Sequence, residues 1–206
     1  MKKTILIALI VALALTFTAC GGGDDDDNGG GGGKGGPTKW TAISNSTFTS
    51  YIYAIAYGNK RFVAVGGSGK MAYSDNSASW TAVADSTFDT SYIYGIAYGN
   101  NRFVAVGTEG KMAYSADGAS WTAVEDSTFA SIIRGIAYGN NRFVAGGSNG
   151  RMAYSADGAS WTTVEDSAFG TSLIHGIAYG SAGNAGNAGG RFVAVGSEGR
   201  MVYADW

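Results

Sequence analysis

The sequence predicts an all-β protein made of four copies of one unit about 40 residues long. Three observations predict it. Tryptophans fall at 40, 80, 121, 161 and 206. Ile-Ala-Tyr-Gly recurs, ending at Gly58, Gly99, Gly139 and Gly180. Arg-Phe-Val-Ala starts at Arg61, Arg102, Arg142 and Arg191, and Met-Ala-Tyr-Ser at Met71, Met112 and Met152, becoming Met201-Val-Tyr-Ala in the last copy. A fixed period of this size marks units that bury a face only by stacking on their neighbours. No copy sustains a 3.6-residue apolar period, so helices are not expected.

Each copy holds four short runs rich in Val, Ile, Phe, Tyr, Trp and Thr, separated by Gly, Asn, Asp and Ser. That is strand and turn composition. In copy two the runs are A, Ile93 to Tyr98; B, Arg102 to Val106; C, Lys111 to Ser115; and D, Trp121 to Glu125. Asn100-Asn101 and Glu109-Gly110 supply the tight turns between A, B and C. Four antiparallel strands per repeat of this length describe a blade of a β-propeller.

Ser115-Ala-Asp117-Gly118-Ala-Ser-Trp121, and again Ser155 to Trp161, resemble the Asp-box repeat of sialidase-like propellers and of the photosystem assembly-factor family. The family pattern is Ser-x-Asp-x-Gly-x-Thr-Trp; here one residue is missing between Asp and Gly. Copy one has Asn76 and Ser77 in place of Asp and Gly, and copy four has collapsed to Ala204-Asp205-Trp206. The resemblance implies a structural turn between C and D. Asp would cap its backbone, Gly would permit its positive φ, and Trp would pack between blades. It specifies fold far more than function.

The order of runs suggests how the ring closes. A lone D run, Trp40 to Ser44, comes first, and copy four supplies A, B and C. The first run is therefore expected to complete the last blade as a latch, removing two exposed edges. The expectation is a small propeller of four four-stranded blades closed by that N-terminal strand, as a monomer. The alternative is an open stack, or a larger ring completed by a second chain. Ala54, Gly95, Gly135 and Gly176 share one A-strand position and suit a narrow centre.

Residues 1–19 read as a secretory signal: Met1-Lys2-Lys3, an apolar run from Ile5 to Phe17, then Thr18-Ala19. Phe17-Thr18-Ala19-Cys20 resembles a bacterial lipobox, which implies cleavage before Cys20 and acylation of that residue. The expected destination is the bacterial cell envelope, with Cys20 as membrane anchor. Residues 20–37, glycine-rich with Asp24 to Asp27, have nothing to bury and read as a disordered tether. Residues 38–206 form the propeller. Without Lys2 and Lys3, 12 basic residues face 16 acidic ones, a balance that argues against nucleic acid as partner. With one cysteine, no internal disulfide can staple the fold.

Most aromatic and basic residues are explained by the repeat itself. All five Trp, the eight Phe after residue 20 and the four Arg that open run B recur at fixed positions. Residues present in every blade cannot alone form the asymmetric set of a sialidase. His175 is the only histidine, so a zinc site lacks its usual ligands. No catalytic constellation, metal site or cofactor is expected. What survives subtraction is Tyr53, Tyr94, Arg134 and His175, one per copy at the start of run A, with Tyr51, Tyr92, Ile132 and Leu173 two residues earlier, and the B–C turn residues Ser68, Glu109, Asn149 and Glu198. Both sets lie at one end of an up-and-down blade. Copies two and four carry Glu109 and Glu198 and also a longer D–A loop, so a closed four-blade ring would oppose the two acids across its axis. The expected ligand site is therefore Tyr53, Tyr94, Arg134, His175, Glu109 and Glu198. The reading is a non-enzymatic surface lipoprotein binding protein or glycan. An envelope assembly factor with one protein partner, or a degenerate glycosidase, is the alternative. Substituting Cys20→Ser should abolish labelling by a fatty-acid analogue; retained label would disprove acylation at that thiol.

Overall fold

The computed structural model describes residues 39–181 and 190–205. The signal, Cys20, the tether, most of the copy-four insert and Trp206 lie outside the described residues. Among the described residues, fifteen strands form four antiparallel sheets, one per repeat. Sheet one holds β1 (Ile52–Gly58), β2 (Arg61–Gly66), β3 (Met71–Ser74) and β4 (Thr81–Ala82). Sheet two holds β5 (Ile93–Gly99), β6 (Arg102–Gly107), β7 (Met112–Ser115) and β8 (Thr122–Ala123). Sheet three holds β9 (Ile133–Gly139), β10 (Arg142–Gly147), β11 (Met152–Ser155) and β12 (Thr162–Thr163). Sheet four holds β13 (Ile174–Ser181), β14 (Gly190–Gly196) and β15 (Met201–Asp205). Within each sheet, strands neighbour in chain order. The architecture is the expected all-β, propeller-like one.

Local chemistry explains each blade. The first hairpin turns on Asn100-Asn101 and Asn140-Asn141, all at positive φ, the backbone of a tight primed turn that Asn tolerates. Runs A, B and C stand where the sequence places them. Run D shrinks to two residues, because only Thr122 and Ala123 pair with β7, opposite Tyr114 and Ala113. Beyond Val124 the chain leaves the ladder for a turn in which Asp126 Oδ1 accepts the Thr128 N–H at 2.9 Å.

Blades pack face to face through three apolar junctions. The first joins Val63, Val65 and Met71 of blade one to Phe88, Ile93 and Phe103 of blade two. The second and third repeat that arrangement one blade further on. Phe88, Phe103, Phe143 and Phe169 are fully buried, each contributing about 1.5–3 kcal/mol by area. The innermost strands β1, β5, β9 and β13 stand side by side in that order. The close approach expected of the glycine position falls between neighbouring inner strands: a Cβ on Gly95 would lie 3.1 Å from the Arg134 carbonyl, and one on Gly135 3.1 Å from Gly176 Cα.

The expected latch is not formed. Trp40 to Ser44 belongs to no strand, Trp40 is 89% exposed, and sheet four has three strands among the described residues. Each junction applies the same packing, and three such turns leave blade four away from blade one. Their outer faces stay open, with Ile52, Ile55 and Tyr57 exposed on one and Met201 and Tyr203 on the other. The open arrangement named as the alternative is the one observed.

The C–D turns are held by carboxylates. Asp117 Oδ1 accepts the Ala119 and Ser120 N–H groups, both at 2.8 Å, and the Ser115 hydroxyl at 3.0 Å. Gly118 takes φ +73° there, and the Trp121 indole N–H donates to the Gly118 carbonyl at 3.2 Å. Asp157 repeats the arrangement, and Asn76 does so with its amide oxygen. The Ser120 N–H above all, with that of Ala119, holds the Asp117 carboxyl below its ordinary value. Burial pushes Asp157 upward, but the N–H groups of Ser160 and Ala159, together with the Ser155 hydroxyl and Arg102, outweigh it and its value too falls. A depressed carboxyl lends stability in full above its unfolded value, near 4, and that stability is lost as pH falls through the folded value. Replacing Asp117 with Ala should cost about 1–2 kcal/mol, as removal of a cap does. The double change to Asn at 117 and 157 should hold the turns as Asn76 does, yet flatten the acid limb of the melting-temperature profile. An unchanged acid limb in that variant would refute the assignment.

Candidate functional site

Tyr53, Tyr94, Arg134 and His175 share a feature that sequence alone did not disclose. Each is the extra residue of a β-bulge. In blade two Ile93 pairs with Gly107 and Gly95 with Val106, so Tyr94 has no partner. Tyr53, Arg134 and His175 are skipped in the same way. A bulge bends its strand and re-aims a side chain out of the alternating pattern. The chain does this four times at one end of its inner strands.

Three of the four side chains, in order, form a file. The Tyr53 and Tyr94 ring centroids lie 5.2 Å apart, tilted by 59°. The Arg134 guanidinium sits over the Tyr94 ring at 5.0 Å, a cation–π contact. His175 is exposed, with Nε2 3.1 Å from the Ser197 hydroxyl of its own blade. A second row, singled out by the repeat but left out of the expected site, joins it. Tyr51 stacks on Tyr53 at 6.2 Å, and Tyr92 lies 6.1 Å from Tyr53 and 6.2 Å from Tyr94. Their signal was divergence at the position two residues before the bulge in each copy. Tyr51 is 76% exposed and Tyr92 45%, so the file offers aromatic surface to solvent.

Electrostatics suit a polar partner. Burial first, then Tyr94, Tyr92 and Tyr51, push the Tyr53 hydroxyl above its ordinary value. It therefore stays a neutral donor and acceptor throughout the physiological range. Arg134 Nε is buried without a hydrogen-bond partner. A charged donor left unpaired costs free energy that packing elsewhere must offset.

The B–C turns share this end of each blade. The Gly67, Thr108, Ser148 and Ser197 N–H groups donate to the carbonyls of Tyr51, Tyr92, Ile132 and Leu173 at 2.8–2.9 Å. The turn tips Ser68, Glu109, Asn149 and Glu198 all hold positive φ. Glu109 and Glu198 do not join the file. Glu109 lies 3.7 Å from Lys111 Nζ, while Glu198 accepts the Ser172 hydroxyl at 3.0 Å and lies 3.6 Å from Arg200 Nε. Because the blades form an open arc, blades two and four do not face each other across an axis. The expected opposition of the two acids is therefore absent, and each is held by basic or hydroxyl groups nearby. Among the described residues no group of three or more His, Cys, Asp or Glu is placed to hold a metal ion.

The fold recurs in solved structures. The computationally designed Ika4 protein matches at 14% identity and TM-score 0.56, over 77% of this chain and 92% of that one. A chain of the nidogen/laminin complex matches at 14% identity and TM-score 0.58, over 76% of this chain and 61% of that one. YCF48 from Cyanidioschyzon merolae matches at 15% identity and TM-score 0.54, over 76% and 53%. YCF48 bound to D1 peptide matches at 18% and TM-score 0.56, over 74% and 50%. The chain thus spans about half the length of the YCF48 chains. No curated protein matches it in sequence. The model of the DUF6242 beta propeller domain matches residues 37–203, nearly all of the four-repeat region, and the chain belongs to that family.

Proposed function

We propose that this chain is a non-enzymatic binding protein of the bacterial cell envelope, anchored through an acylated Cys20, and that it holds a protein or glycan on the bulged file. The observation that carries the reading is that file: Tyr53, Tyr94 and Arg134 in continuous contact, flanked by Tyr51 and Tyr92. Aromatic faces supply apolar area, and tyrosine hydroxyls and a guanidinium supply directed hydrogen bonds. Tyr and Arg are also the residues on which binding energy concentrates. The rest of each blade repeats, whereas this file changes from Tyr to Arg to His along the arc. That gives a ligand direction as well as adhesion. His175 continues it at the blade-four end.

An envelope assembly factor that recognises one protein partner is a second reading, favoured by the likeness to YCF48, which has been solved bound to a peptide. Glycan arrays and envelope pull-downs with the whole chain separate the two. With the ligand in hand, Tyr94→Ala and Arg134→Ala should each weaken binding by roughly 1–3 kcal/mol by titration calorimetry, with an unchanged melting temperature. Asp117→Ala, at the opposite end, should leave affinity alone. Affinity that ignored Tyr94 and Arg134 but followed Asp117 would overturn the assignment.

A further inference from the structure

We infer that two copies of this chain join head to tail, blade one of each seated on blade four of the other. The reasoning starts from the three junctions the chain builds within itself, which share one set of parts. The first part is a tyrosine ring laid on a glycine. Tyr98, Tyr138 and Tyr179 cover Gly58, Gly99 and Gly139 so closely that a Cβ on each glycine would fall 2.0 Å from the ring. The second is a serine hydroxyl given to a glycine carbonyl of the blade before: Ser86 to Gly69 at 2.6 Å, Ser127 to Gly110 and Ser167 to Gly150 at 2.5 Å. The third is a tryptophan from the outer edge of the later blade. Trp121 packs on the first junction and Trp161 lies in the second.

Every part has an unmated counterpart at the ends of the arc. Among the described residues no atom lies within 4 Å of the position where a Cβ on Gly180 would stand, and its would-be cover, Tyr57, is 55% exposed. Tyr57 already lies on Phe62 at 4.5 Å, as Tyr98 lies on Phe103 at 4.6 Å, so the ring is set for its glycine. Gly199 is likewise uncovered, where Gly69, Gly110 and Gly150 each meet the loop of the next blade. Ser46 stands where Ser86, Ser127 and Ser167 stand. The third junction has no tryptophan among its described core. Beside that core the described residues enclose a cavity of about 180 Å³ whose lining includes Val144, Met152, Val164, Phe192, Ala194 and Val202; Trp206 lies outside the described residues. The equivalent residues Val63, Met71, Val83, Phe103, Ala105 and Ala113 belong to the first junction, against whose buried cluster Trp121 packs. Trp40, which opens the run equivalent to β4, is 89% exposed.

A second copy satisfies all of this at once. Its Trp40 fills the cavity. Its Thr41 and Ala42 pair with Tyr203 and Val202, as Thr81 and Ala82 pair with Tyr73 and Ala72. Its Tyr57 covers Gly180. The exposed Ile52 and Ile55 then meet the exposed Val195 and Met201, as their counterparts meet inside the chain. The contact joins two different faces, so it either closes or runs on as a filament. Two copies closed on each other leave neither face open. They also set Tyr53 of one copy beside His175 of the other, so that the four bulged positions of one copy run on into those of the next. One position departs from the internal pattern. Ser77 replaces Gly118 and Gly158, whose would-be Cβ atoms lie 2.6 and 2.5 Å from Val63 and Val104, so Val193 must give way there.

The test is the mass of the whole chain, purified in mild detergent, by light scattering at micromolar concentration. Two copies are expected. Met201→Asp and Ile55→Asp, both at exposed positions, should each give a folded monomer by circular dichroism. Their equal mixture should return to a dimer, because one seam then has two intact faces. Trp40→Ala should raise the dissociation constant at least roughly tenfold, and Ser77→Gly should lower it. A monomer for the unaltered chain would overturn the inference. So would a dimer lost in only one of the two Asp variants, or a mixture that stays monomeric.

Discussion

The structure depends on one contact made three times: a tyrosine ring laid flat on the glycine of the preceding blade. Only a residue without Cβ lets the ring approach so closely. The ring is fixed from behind by a phenylalanine of its own blade, with centroids 4.6–4.8 Å apart in the three junctions. That pair sets how far one inner strand stands from the next, and so how far each blade is turned. The buried Phe and Met side chains fill the space the turn leaves. In a molecule whose units touch only their neighbours, stability is close to a sum of unit and junction terms. The Tyr–Gly contact is therefore the unit of both geometry and cohesion.

This explains why some of the fold was legible in the sequence and some was not. The strands were legible, since Ile-Ala-Tyr-Gly and Arg-Phe-Val-Ala fix a hairpin whose turn residues Asn100 and Asn101 need positive φ. The cap on the C–D turn was legible too, because Asp117 sits at the spacing that reaches two N–H groups of its own turn. Ring closure was not. The rotation per blade is a property of how Tyr98 meets Gly58 in three dimensions, and no spacing along the chain encodes it. The outer strands were over-read for a related reason: Trp121 to Glu125 has strand composition, but an edge with one neighbour keeps only the pairs that packing supports.

The candidate site was half legible. Subtracting the repeat isolated Tyr53, Tyr94, Arg134 and His175, because divergence at an otherwise constant position is visible in letters. The bulge was not visible, since it is a register between two strands and each strand alone reads as regular. Nor was the fate of the acids. Glu109 and Glu198 differ from their counterparts as much as Arg134 does, yet Lys111 and Arg200 two residues on hold them.

Repetition finally bears on why the file sits where it does. A bulge forfeits ladder hydrogen bonds and is tolerated where something else is gained. Drift would scatter such irregularities, whereas here the same one recurs in all four inner strands. Its local reason is packing: the glycines after Tyr94 and Arg134, Gly95 and Gly135, bring inner strands within about 3.1 Å of a would-be Cβ, and the bulge turns the preceding side chain out of that crowded space. The outward display of four large side chains thus follows from the close approach of the blades. Their identities are then free of the packing rule that fixes Phe103 or Val104. Tyr, Tyr, Arg and His at equivalent positions show that freedom in use, with Tyr53, Tyr94 and Arg134 packed into one contact line.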